Sequence, residues 1–72
     1  SFDVALNQPQ VIRIMLSDET GRLVKELYSG KAPAGENSFS FNSGMLSAGT
    51  YLISVSNDEK IFIRKKLVVR PR

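Results

Sequence analysis

The side chains best able to act on a partner are concentrated at one end of the chain. Lys60, Arg64, Lys65, Lys66, Arg70 and Arg72 give residues 60–72 six cations and no carboxylate, whereas residues 1–59 carry four basic and seven acidic side chains. The overall charge of +3 therefore conceals a net of −3 followed by +6, a positive stripe that anionic groups feel first. Two uses compete for such a stripe: solvated cations that keep a sheet edge from pairing with the wrong partner, or a docking strip. The carboxylates offer less. Asp18 with Glu19 and Asp58 with Glu59 fall in turn-like stretches, where short acidic side chains ordinarily bond to nearby backbone. A paired-carboxylate hydrolase needs two carboxyls facing each other across a cleft, and 72 residues leave little room for one. Neither pair has the regular spacing of oxygen ligands that a calcium loop uses.

Cysteine and histidine are absent. Thiolate and imidazole metal sites, His-activated nucleophiles and redox disulfides are excluded with them. The expectation is a protein that is not an enzyme and needs no cofactor. A chain of 8.0 kDa makes one domain, residues 1–72, with hydrophobic residues at 42% and charged residues at 24%, an ordinary globular balance. Apolar runs are far short of the ~20 residues that span a bilayer as a helix. A cysteine-free composition suits the cytosol and an exported bacterial protein alike.

Apolar residues recur with a period of two, in short runs separated by turn residues, which predicts strands. Phe2, Val4 and Leu6 share one face of a first strand that stops near Pro9, since proline cannot donate a ladder hydrogen bond. In a second strand Ile12, Ile14 and Leu16 form an apolar face, while Val11, Arg13 and Met15 form a mixed one. Residues 17–21 make a turn, with Gly21 supplying a positive φ. Residues 22–28 are ambiguous, because Leu23, Val24 and Leu27 would also suit a helical face; seven residues make too short a helix, so a hairpin strand is expected. Residues 31–36 read as a loop and 38–42 as a strand burying Phe39 and Phe41. A fifth strand turns Tyr51, Ile53 and Val55 inward and Leu52, Ser54 and Ser56 outward. The last, residues 61–70, sets Ile61, Ile63, Leu67 and Val69 against Phe62, Arg64, Lys66, Val68 and Arg70. Lys65 interrupts the apolar row, as happens at sheet edges and at bulges. The expected fold is all-β: a small antiparallel immunoglobulin-like β-sandwich of about six or seven strands.

Three stretches, residues 18–24 (DETGRLV), 46–51 (LSAGTY) and 65–70 (KKLVVR), resemble in order and spacing the C-terminal sorting domain of the type IX (Por) secretion system. The likeness rests on Asp18, Gly21, Arg22, Leu46, Gly49 and Tyr51 and on the closing Lys65, Lys66, Leu67, Val68, Val69 and Arg70. It covers nearly the whole chain. The Asn-Pro segment that usually precedes the first strand in that family has no counterpart ahead of Phe2, which leaves room for a missing N-terminal strand. The resemblance implies a non-catalytic signal that directs a cargo from the periplasm through the outer membrane of a Gram-negative bacterium to the cell surface or beyond. Its implied partners are the outer-membrane secretion machinery and a sortase-like surface peptidase, which removes the tag and joins the cargo to anionic lipopolysaccharide. The alternative is a retained immunoglobulin-like module that binds lipopolysaccharide or carbohydrate, or assembles as a hook-cap domain does; the Trp-Asp-Gly segment of hook-cap domains has no equivalent here.

Recognition is expected along Lys60, Phe62, Arg64, Lys65, Lys66, Leu67, Val68, Val69 and Arg70, where an edge strand has spare backbone donors and acceptors. Phe62, set among cations, calls for a covering partner or strand. Edge pairing also allows a homodimer. Nucleic acid is not expected, since the cations lack an accompanying aromatic platform. Gly49 and Tyr51 read as a turn conformation and a core ring.

Overall fold

The computed structural model describes residues 2–40, 44 and 46–71. Six strands follow in order: β1 (Phe2–Leu6), β2 (Gln10–Asp18), β3 (Leu23–Ala32), β4 (Gly35–Phe39), β5 (Gly49–Ser56) and β6 (Ile61–Val69). They form two antiparallel sheets, one with the order β3-β2-β5-β6 and one made of β1 and β4. The fold is an all-β sandwich, as the alternation predicts.

Alternation also decides what is buried. On β2, Ile12, Ile14 and Leu16 are buried, and on the neighbouring β5 so are Ile53 and Val55; Ile14 lies opposite Val55 and Leu16 opposite Ile53. Val4 and Leu6 of β1 and Ala32 of β3 complete this cluster, so the two-stranded sheet packs over the middle of the larger one. The inward residues of β6 that face the same way, Ile63, Leu67 and Val69, are only half-buried. β6 is therefore at the rim of the core as well as at the edge of its sheet.

Several expectations need correction. The third strand runs on to Ala32 and the fourth starts at Gly35, so most of the loop expected at 31–36 is strand. Phe41 and Asn42, expected in the fourth strand, lie outside the described residues. Residues 23–28 are strand, and their helix-like spacing has a physical cause. Ile14 pairs with Tyr28 but Met15 with Glu26, and Leu16 pairs with Lys25 but Ser17 with Leu23, so Leu27 and Val24 are extra residues in two bulges. Each bulge breaks the period of two and brings apolar residues closer in sequence.

Candidate docking surface

Two loops carry the sequence motifs. At the end of β2, the Asp18 carboxylate Oδ1 accepts hydrogen bonds from the Thr20 N–H at 2.9 Å, the Thr20 hydroxyl at 2.6 Å and the Arg22 N–H at 3.1 Å. The backbone closes the same turn, with the Asp18 N–H donating to the Arg22 carbonyl and the Gly21 N–H to the Asp18 carbonyl. Gly21 has a φ of 90°, a left-handed conformation that a side chain would strain. Bonding chiefly to the Thr20 hydroxyl, and then to the two backbone N–H groups with help from the Arg22 charge, holds the Asp18 pKa below its ordinary value. Asp18, Gly21 and Arg22 are thus a structural unit that turns β2 into β3.

The second loop carries the Leu-x-x-Gly-x-Tyr pattern. Leu46 packs against the core cluster, and the Tyr51 ring does so from the start of β5. The Tyr51 hydroxyl reaches back and donates to the Ser47 carbonyl at 2.7 Å, tying the loop to the strand it precedes. Gly49, between them, has a φ of 155° and pairs with Val69 at the far end of β6. The clamped loop and the end of β6 enclose an open groove of about 460 Å³, with Leu46 and Ala48 on one side and Leu67, Val69, Arg70 and Pro71 on the other. The two sequence motifs, far apart along the chain, therefore meet at one place.

Beside that groove lies the strand with the cations. β6 pairs with β5 alone among the described strands, so its other edge keeps its backbone groups for solvent or a partner. Its side chains divide by register. Arg64 opposite Ser54, Lys66 opposite Leu52 and Val68 opposite Thr50 lie on the outer face; Lys65 opposite Ile53 and Leu67 opposite Tyr51 lie on the core side. Lys65 is nevertheless exposed, because the smaller sheet does not extend over the rim. Arg64, Lys65 and Lys66 are three consecutive exposed cations that flank the free edge from both faces, with Lys60 and Arg70 exposed beyond its two ends.

Phe62 departs from its expected place. Ser56 pairs with Ile61 but Val55 with Ile63, so Phe62 is the extra residue of a bulge. The break in alternation turns its ring onto the core, where it is half-buried, and Ile61, expected inward, is exposed instead. The bulge sits directly after a turn held by Asn57, whose Oδ1 accepts from the Glu59 and Lys60 N–H groups and whose Nδ2 donates to Gln10. Part of the Phe62 ring is thus covered by the domain's own core.

The groove at the end of β6 was not legible in the sequence, since it exists only once the loop folds onto the strand. Its one sequence trace is the Leu-x-x-Gly-x-Tyr spacing. Asp58 and Glu59 are exposed in the β5–β6 turn, and among the described residues no three acidic side chains gather as a metal site would require.

The described strands thus form an antiparallel sandwich with a cationic strand, β6, at one edge of its larger sheet. The family model described as the secretion system C-terminal sorting domain matches residues 1–70, and the chain belongs to that family, the type IX sorting domains. Such a tail marks proteins exported by the type IX system of Gram-negative bacteria to the cell surface or extracellular space. No curated protein and no solved structure matches the chain.

Proposed function

We propose that this sorting domain is read by strand addition: a segment of the secretion machinery pairs with the free edge of β6 while its carboxylates meet Arg64, Lys65 and Lys66. The observation that carries the reading is the one-sided pairing of β6, flanked by three successive exposed cations. Backbone hydrogen bonds supply affinity that does not depend on side-chain identity, and the groove beside Leu67 and Val69 takes an apolar side chain of the incoming strand. The cations steer the encounter and reject partners of their own sign. That includes a second copy. Two β6 strands paired antiparallel about Lys65 would set Lys65 against Lys65 and Arg64 against Lys66, and like charges directly opposite destabilise a strand pair.

In this reading the chain works as a signal and not as a catalyst. Removal of the tag by a sortase-like peptidase, and transfer of the cargo to lipopolysaccharide, come after docking and ask nothing of these side chains beyond a folded domain. Replacing Lys65→Glu with Lys66→Glu tests the docking step. The variant keeps the circular dichroism of the parent, because both side chains are exposed, and a reporter fused to it stays inside the cell. A folded variant whose reporter reaches the surface at the parent rate refutes strand docking at β6.

A further inference from the structure

The face of the larger sheet turned away from the core is the least expected surface of the molecule. A solvated sheet face is normally polar. Among the described residues the large hydrophobic side chains that stand exposed, Val11, Leu23, Val24, Leu52, Ile61 and Val68, all belong to strands of this one sheet, and register or bulge geometry turns them outward or to its margin. Rows across the strands show how they assemble. Leu23, Ser17, Leu52 and Lys66 make one row; Glu26, Met15, Ser54 and Arg64 the next; Ser29, Arg13, Ser56 and Ile61 a third. Val11 beside Lys31 and Thr50 beside Val68 extend the two ends. Ser54, between Met15 and Arg64 in the middle row, is buried, while Leu23 and Leu52 stand exposed on either side of Ser17 in the row beside it.

Charge on this face has one dominant sign. Arg13, Lys31, Arg64 and Lys66 project from it against the single carboxylate Glu26, which Arg13 already meets at 3.4 Å. We infer that the outer face of the β3-β2-β5-β6 sheet is a second recognition surface, taken by a protein segment that is apolar and acidic. A second copy of the chain would bring the same cations face to face. A bilayer surface fits poorly, because interfacial anchoring draws on Trp, Tyr and Phe, and none of the six exposed apolar side chains is aromatic. Four strands about 4.8 Å apart and about eight residues long present roughly 500 Å². That is below the ~800 Å² per partner of a stable complex, so this contact is transient unless the edge of β6 is engaged too.

The inference rests on the chain being a sorting signal, but not on strand addition at β6, and the two variants that probe it alter no residue of that strand. A reporter carrying the chain is followed to the cell surface in a type IX-competent host. Leu23→Asn with Leu52→Asn removes the two exposed leucines of one row, and Arg13→Glu with Lys31→Glu reverses the charge. Each pair is expected to lower surface reporter at least about fivefold, the effect of losing roughly 1 kcal/mol of binding, with the melting temperature of the chain little changed. Should the asparagine pair unfold, the charge pair decides, since its positions are exposed. A photo-crosslinking residue at position 52 is expected to join the chain to a protein of the export machinery, and the adduct should vanish in the Arg13→Glu, Lys31→Glu background. Adducts with lipid alone, or of twice the chain's mass, overturn the proposal. So does parental export of both pairs; if Lys65→Glu with Lys66→Glu still fails, the edge reading survives and the outer-face reading does not. An unaltered chain that exports no reporter removes both.

Discussion

Tyr51→Phe removes one oxygen and leaves the ring, and so isolates the clamp between the loop at 46–48 and β5. The hydroxyl makes a single hydrogen bond, 2.7 Å to the Ser47 carbonyl, close to the surface. A bond of this kind contributes about 0.5–1.5 kcal/mol net. In a domain of 60–100 residues each kcal/mol moves the melting temperature by about 4–8 °C, so Tyr51→Phe should melt roughly 2–12 °C lower than the parent. The ring still packs against the core beside Leu67, its register partner on β6, so the folded baseline by circular dichroism should be unchanged. Amide exchange adds a second reading: protection should fall at residues 46–49 and at the end of β6 while β2 keeps its own. Calorimetry with exchange measured by NMR serves as the assay. A melting temperature within 1 °C of the parent, with unaltered exchange in the loop, would show that Ser47 is held by something other than this bond and that the groove does not depend on Tyr51.

Two further substitutions test the frame of the fold. The lowered pKa of Asp18 means that its ionised form is favoured in the folded state, so it contributes stability that is present above the ordinary carboxylate value of 3.8 and is lost as the pH falls through the lower folded value. Asp18→Asn should therefore melt lower than the parent at pH 7 and lose less on acidification below pH 4, seen as a shallower acid limb in melting temperature against pH. Ile14→Ala empties a fully buried position between Tyr28 and Val55. Its cost of about 2–5 kcal/mol is comparable to the ~3–5 kcal/mol that a core of this size supplies. Urea titration should find the variant largely unfolded at 37 °C, and its reporter should not be exported if the machinery reads a folded surface.

The sequence reveals the frame through residues whose pattern is local. Ile12, Ile14 and Leu16 alternate without interruption, as do Ile53 and Val55, and each row turns out buried on the expected face. The pattern misleads where one residue is inserted without a partner. Val24 and Leu27 mimic a helix because two bulges fall within β3, and simple alternation puts Phe62 on the cationic face because nothing in the sequence shows that it is itself the extra residue of a bulge. A bulge leaves no fixed mark in a single sequence, since it depends on what the neighbouring strand offers. The candidate site divides in the same way. Arg64, Lys65 and Lys66 are visible as a charge run, and the structure adds that they border a free edge. The groove between Leu46 and Leu67, and the rows that bring Leu23 next to Leu52 across Ser17, arise only from pairing between distant segments.

Hydrogen exchange, residue by residue, on the chain free and then bound to the purified export machinery tests most directly whether the domain is held by its last strand. β3 lies at the opposite edge of the same sheet and provides the internal control. Strand addition predicts that the amides of β6 which point away from β5, fast to exchange in the free chain, become protected on binding while the outer amides of β3 do not. Unchanged exchange along β6 in a complex that has formed would contradict it.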